Sequence, residues 1–190
     1  MKITITGWNG FLSHKLRERT DIDWTEDNAD CLLHLGGPTF TNAELFEHDA
    51  QVMHQYVRET IKKIDRFDGP VVFASTTGVD DIQLDHKGST SYNLAKLYLE
   101  NYIINNCDNH LILRIGTVIS YNQTDVDLMK PDRLQQRILR KDYTNIPFED
   151  YYLPVDTFVN TTIEAIQTAK SGILEYDLVK LTLPQLIKLI

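Results

Sequence analysis

Lys2-Ile3-Thr4-Ile5-Thr6-Gly7-Trp8-Asn9-Gly10-Phe11-Leu12-Ser13 reads as a strand that breaks on a glycine and resumes as a helix. Ile3 and Ile5 alternate with threonines at the two-residue period of a half-buried strand, which stops at Gly7. From Phe11 to Arg19, Leu12 and Leu16 fall one helical turn apart. In this setting Gly7 permits the tight turn, and Gly10 lets a pyrophosphate approach the backbone at the positive end of the helix. A third small residue, Ser13, keeps helix and strand close. Two glycines after a strand also make a plain turn, so the rest of the chain has to decide between the two.

Working outward, short apolar runs alternate with longer helical patterns, the signature of βαβ units on a parallel sheet. A brief strand is expected at Asp21 to Trp24, and a buried one at Cys31-Leu32-Leu33-His34-Leu35, ending on Gly36-Gly37. Residues 41–64 read as a long amphipathic helix, with Glu44, Glu47, His48 and Asp49 on its exposed face. Val71 to Ser75 is the next strand, followed by a loop to about residue 90, a helix over 91–106 and a strand from Leu111 to Ile115. The stretch 120–152 is polar and irregular, with a short helix at 131–140. After a strand at Leu153 to Val155, Asp156 is expected to cap a helix that buries Val159, Ile163 and Ile166. Thr182-Leu183-Pro184-Gln185 is a capping box opening a last helix that presents Leu186, Ile187 and Ile190. The fold class is therefore α/β, a doubly wound parallel sheet of Rossmann type in one domain.

Bulk properties exclude several functions. A net charge of −8 argues against a nucleic-acid surface, which needs clustered Lys and Arg. It leaves room for a dinucleotide, whose phosphates can rest on backbone N–H groups. No run approaches the ~20 apolar residues of a spanning helix, and the first residues are too short an apolar run for a signal peptide. A cytoplasmic location is expected. Cys31 and Cys107 lack metal-type spacing and read as reduced packing residues. The six histidines show no HxH or HExxH spacing, so no metal site is expected. His34, inside a strand, reads as a satisfied core imidazole, and His86 as a solvated loop residue.

Two further stretches carry chemistry. Tyr92-Asn93-Leu94-Ala95-Lys96 sets a phenol and an ammonium one helical turn apart, on a stripe continued by Leu99 and Ile103. An ammonium beside a phenol favours the phenolate and brings it toward proton transfer; the plainer alternative is a pair that snorkels from a helix end. Ser75-Thr76-Thr77 ends an apolar strand at the edge where ligands bind in open parallel sheets, although hydroxyls there also serve as simple turn or cap residues.

Together and in this order, the segments resemble the extended short-chain dehydrogenase/reductases, the group of nucleotide-sugar epimerases and reductases. Thr6-Gly7-Trp8-Asn9-Gly10-Phe11 is similar to the family's TGxxGF, and Ala29 to Gly37 to the segment whose loop lies against the cofactor. Phe73-Ala74-Ser75-Thr76-Thr77 resembles its hydroxyl-ended strand, and Leu113 to Val118 its LRxxNvyG strand. Tyr152 to Asp156, Gly172 to Tyr176 and Leu181 to Leu183 are similar to its closing segments. The resemblance implies Thr76, Tyr92 and Lys96 as catalytic residues: Thr76 orients the substrate oxygen, Tyr92 is the acid/base, and Lys96 assists Tyr92 and holds the nicotinamide ribose. It implies cofactor contacts at Gly7, Asn9, Gly10, Phe11, Leu35, Gly36, Gly37, Ser75, Tyr92, Lys96 and Thr117. NAD is the expected cofactor, with NADP the alternative, and the expected partners are a small-molecule substrate such as a nucleotide-sugar and a second copy of the chain. That homodimer would pair helices 41–64 and 91–106. The domain is expected to span 1–190, with 120–152 as a reduced substrate-binding insertion.

Departures from the family pattern bear on function. Too few residues separate Phe11 from Asp30 for the usual first half. The acid that should hold the adenosine ribose is left open among Asp21, Asp23 and Glu26. Thr117 replaces the common Asn. Thr77-Gly78 follows Thr76 where the family's dehydratases carry Asp-Glu, which disfavours dehydration. Epimerase and reductase stay undivided, and the rival reading is a catalytically inactive dinucleotide-binding regulatory or assembly module.

Overall fold

The computed structural model describes residues 1–38, 50–83, 91–130 and 133–189, the side chains of 81–83 excepted. In the main sheet, β1 (Lys2–Thr6), β2 (Asp23–Trp24), β3 (Cys31–His34), β4 (Val71–Thr76), β5 (His110–Ile115) and β8 (Gly172–Leu174) run in the order β2-β1-β3-β4-β5-β8. Every pairing in it is parallel. The helices α1 (Phe11–Arg17) and α7 (Val155–Gln167) belong to one layer, and α2 (Ala50–Ile64) and α4 (Ser91–Asn106) to the other. Burial on both faces is what makes these strands read as continuous apolar runs.

The layers have separate cores. Leu16 of α1 and Phe158, Val159, Ile163 and Ile166 of α7 pack on Ile3, Ile5, Leu33, Val72 and Leu113. On the opposite face Ile64, Leu99 and Ile103 meet Leu32, Val71, Phe73 and Ile112. Strand alternation sends neighbouring residues of β4 to different layers: Val71 and Phe73 to the α2/α4 side, Val72 to the α1/α7 side. Cys31 is buried in the first core and desolvation pushes its thiol up to about 12, while Cys107 packs at the margin of the second.

A smaller sheet, β6-β7-β9, is built from β6 (Val118–Ile119), β7 (Glu149–Pro154) and β9 (Val179–Thr182). Two short helices, α5 (Gln123–Leu128) and α6 (Leu134–Leu139), lie between β6 and β7, and α8 (Leu183–Lys188) follows β9. Tyr152, Ile119, Ile138 and Leu186 form its core. Lys15 of α1 reaches across to Asp125 of α5 at 2.9 Å, and Asp125 accepts a second bond from Ser120 Oγ at 2.8 Å.

Several expectations change at the level of elements. The interval after β4 contains a helix, α3 (Gly78–Gln83), where a loop was expected; buried Val79 anchors it and Thr76 Oγ1 accepts from Gly78 N at 3.3 Å. The 120–152 stretch holds two helices and the first four residues of β7, because Ile119, Ile138 and Tyr152 share one small core. Asp156 lies in the first turn of α7 and does not cap it; Pro154 stands at the cap position. The capping box at Thr182 and Gln185 is present, but Ile187 is exposed and only Leu186 is buried. Residues 39–49, 84–90 and 131–132, with Ile190, lie outside the described residues, and with them Glu44, Glu47, His48, Asp49 and His86.

Between α1 and β3 the first half of the fold is cut short. Thr25 N donates to Ile3 O on one side of β1, and Asp30 N donates to Lys2 O. The chain has crossed to the other side of β1 in between, and Asn28 takes a left-handed φ of 52° on the way. The strand order therefore reverses between β1 and β3, which makes their C-terminal ends the switch point of the sheet.

Candidate active site

The crevice at a switch point is where open α/β sheets bind ligands. Its floor is made by two glycine turns pressed together. Gly7 has φ +79°, and a Cβ on it would lie 2.8 Å from Gly36 N. Only a residue without a side chain allows β1 and β3 to end this close together. Gly7 O accepts from Gly10 N at 2.8 Å and from Ser13 Oγ at 2.7 Å, so Ser13 locks the turn onto the helix it opens. Asn9, Gly10 and Phe11 line an open cleft of about 230 Å³ with His14, Arg17 and Leu128. Arg17 stacks 4.0 Å over the Trp8 ring and donates to Trp8 O, stiffening the loop.

Lys96 comes from α4, on the stripe with Leu99 and Ile103, and is 3% exposed. Its ammonium donates to Ala74 O at 2.7 Å and to Tyr56 Oη at 2.8 Å, two of its three N–H directions being used among the described residues. It lies 4.7 Å from the Phe73 ring, 5.1 Å from Tyr56 and 5.5 Å from Tyr92. Burial pulls Lys96 down to about 7, against the opposing pull of Glu100 one turn on. A lysine so placed is poised between charged and neutral forms at ordinary pH.

Around it runs a set of buried polar contacts. Tyr56 donates to Gly36 O at 3.2 Å, and burial raises its phenol, so it stays protonated. Gly36 N donates to Thr6 Oγ1 at 3.3 Å, and Thr6 Oγ1 meets His34 Nδ1 at 2.7 Å. His34 Nε2 meets Thr60 Oγ1 at 3.3 Å, and the ring stacks on Phe73. Desolvation, helped by Lys96 and Lys63, lowers His34 to about 3, so it is a neutral, bonded core imidazole.

The structure thus brings Gly7, Gly36 and Lys96 into one region, joined through Tyr56. Thr76 closes β4 with its hydroxyl toward Gly78 N, and Gly78 backs onto Asn93, whose Nδ2 would lie 2.6 Å from an added Cβ. The turn after Thr76 therefore abuts the first turn of α4, where half-buried Tyr92 sits. Ser75 is 4% exposed and, among the described residues, its Oγ has no hydrogen-bond partner. By alternation Ser75 shares the α2/α4 face with Phe73. Leu35 is half-buried beside Gly36, Gly37 is exposed with open space around it, and Thr117 is exposed past β5 with its carbonyl bonded to Leu153 N at 3.0 Å. No hydrogen bond ties Thr117 to the Lys96 cluster among the described residues.

The three candidate ribose acids separate by position. Asp23 pairs in register with Lys2, and Asp21 is held by Arg19 at 2.7 and 2.8 Å, both at the end of the sheet away from the glycine turns. Glu26 follows β2 in the crossing segment, whose flanking residues Thr25 and Asp30 are bonded to Ile3 and Lys2, so no acid of the three is brought to the glycine turns. Tyr56, by contrast, went unread in the sequence. The available signal was a tyrosine on the stripe with Met53, Thr60 and Ile64, an aromatic with a polar tip among buried positions.

No family model matches the chain, and no curated protein matches it by sequence. Solved structures do. RMD from Pseudomonas aeruginosa, in complex with NADPH, superposes with a TM-score of 0.72 at 16% identity over 98% of this chain and 81% of that one. A dTDP-4-dehydrorhamnose reductase from Clostridium acetobutylicum gives 0.70 at 12%, over 100% and 79%. UDP-glucuronic acid 4-epimerase from Bacillus cereus, with NAD, gives 0.62 at 14%, over 96% and 79%. The chain shares its Rossmann-type fold with these proteins, in keeping with the resemblance to extended short-chain dehydrogenase/reductases.

Proposed function

We propose that the chain is a nicotinamide-dinucleotide-dependent oxidoreductase or epimerase of the extended short-chain dehydrogenase type, acting on a sugar-nucleotide or similar hydroxyl or keto substrate. The observation that carries this reading is the buried Lys96 ammonium, fixed by Ala74 O and by Tyr56, whose hydroxyl also bonds the Gly36 turn of the crevice. The residues fit such a cofactor: the paired turns at Gly7 and Gly36 offer bare backbone for its phosphates. Gly7, Asn9, Gly10 and Phe11 would hold its diphosphate, and Leu35, Gly36, Gly37, Ser75 and Thr117 would wall it. NAD is the expected cofactor, with NADP the alternative.

The dinucleotide, when bound, supplies or accepts the hydride. Tyr92 then exchanges a proton with the substrate oxygen, Lys96 assists Tyr92 and holds the nicotinamide ribose, and Thr76 orients the oxygen. The region 120–152, with the small sheet, is the substrate side of a single 1–190 domain. A homodimer through α2 and α4 belongs to the same reading, supported by a groove of about 490 Å³ between them, lined by Val57, Ile61 and Tyr98 and rimmed by His54, Arg58 and Lys62. The shortened first half favours the second reading, a catalytically inactive dinucleotide-binding module.

Native mass spectrometry of the purified protein tests the first step, with retained NAD or NADP and a dimer mass expected. Tyr92→Phe separates the two readings. An enzyme keeps dinucleotide affinity within about threefold and loses turnover on nucleotide-sugars by on the order of 100-fold or more. Wild-type protein that binds dinucleotide but turns over no substrate supports the inactive module.

A further inference from the structure

The contacts of Lys96 raise a question that the Tyr92–Lys96 pair does not answer: what fixes the direction of an ammonium on a flexible four-carbon stem? One hydrogen bond goes to a backbone carbonyl of β4, the other to Tyr56 Oη, 40 positions earlier on α2. That oxygen bridges the two groups, since it accepts from Lys96 and donates to Gly36 O. Gly36 in turn is wedged against Gly7 and bonded through its N–H to Thr6. A hydroxyl with one bond to the lysine and one to the crevice wall transmits the position of the wall to the lysine.

We propose that Tyr56 is a positioning residue of the reaction centre: its hydroxyl, held between Lys96 and Gly36, aims the ammonium and couples it to the loop that walls the dinucleotide crevice. This rests on the dinucleotide-dependent reading above. The groups facing the ammonium are Tyr56 from α2, Tyr92 and Glu100 from its own helix, and His34 from β3. Arg114 engages Glu100 in a bidentate pair, and His34 is neutral, so Tyr56 is the ammonium's one side-chain hydrogen-bond acceptor among the described residues. Because Tyr56 accepts from the charged form, it supports that form against the burial that disfavours it.

The test is Tyr56→Phe, which keeps the ring over the ammonium and removes only the hydroxyl. Side-chain ¹⁵N NMR of lysine-labelled protein follows the Lys96 titration, and NADH or NADPH fluorescence titration follows binding. Loss of the acceptor should move the Lys96 midpoint down by about one pH unit, as expected for one charge-assisted bond. Dinucleotide affinity should weaken by about tenfold. A merely structural tyrosine would leave the midpoint in place. Should the variant not fold, ¹³Cζ-tyrosine labelling of the wild type serves instead: the Tyr56 resonance should inflect at the Lys96 midpoint and shift on adding NADH. A Lys96 midpoint and affinity both unchanged in Tyr56→Phe, or a Tyr56 resonance silent through the Lys96 titration, overturns the role of Tyr56 alone. A wild type that binds neither NAD(H) nor NADP(H) overturns the functional reading, and this role with it.

Discussion

Gly7 shows how one residue without a side chain sets a site. Its φ of +79° lies in the left-handed region, which costs an L-residue roughly 1–2 kcal/mol by itself. A methyl group there would also meet Gly36 backbone at 2.8 Å, which neither strand can relieve without parting from the other. Gly7→Ala should therefore destabilise the fold by roughly 2–4 kcal/mol, read as a lowered urea midpoint. Gly37, one residue beyond Gly36, has nothing within 4 Å of an added Cβ. Gly37→Ala should stay within about 0.5 kcal/mol of wild type. Equal losses from the two substitutions would sink the account of a packed glycine pair.

At the scale of elements, the helix that carries Tyr92 and Lys96 is held to the sheet by charge as well as by packing. Glu100, one turn past Lys96, is 2% exposed and receives two bonds from Arg114 of β5, at 2.7 and 3.2 Å. Arg114 also contacts Asp80 of α3 at 2.5 Å, so one guanidinium joins β5, α3 and α4. Those bonds raise Arg114 above its ordinary range, the Glu100 hydrogen bond being the main cause. Arg114→Met would leave the Glu100 carboxylate buried without its counter-ion. A loss of about 3–5 kcal/mol is expected, and Arg114→Met with Glu100→Gln should recover much of it. A double variant no more stable than the single one would show that the pair itself, and not the stranded charge, carries the effect.

For the molecule as a whole, the buried polar contacts between the sheet and α2 make stability depend on pH. His34 falls to about 3 in the folded state because burial disfavours its charged form, whereas an unfolded chain titrates it near 6.5. Below 6.5 the unfolded state takes up a proton that the folded state refuses. The contribution is thus complete above pH 6.5 and is lost as pH falls toward about 3. Urea unfolding should show wild type losing stability, on the order of a few kcal/mol, between pH 6.5 and 4. His34→Gln should flatten that slope, and an unchanged slope would remove His34 as its source.

The sequence by itself determined the alternation of strand and helix, the glycine turn after β1, the buried Lys96 on the stripe with Leu99 and Ile103, and the neutral core role of His34. Each of these follows from local periodicity or from the residue's own conformational range. Tertiary structure alone decided that Gly7 backs onto Gly36, that Tyr56 is the partner of Lys96, and that Asp21 and Asp23 stand at the end of the sheet away from the glycine turns. Those facts depend on which elements lie beside each other and in what register. That is fixed by the burial of both sheet faces and by the crossing of β1 between Thr25 and Asp30, and no short window of sequence contains either.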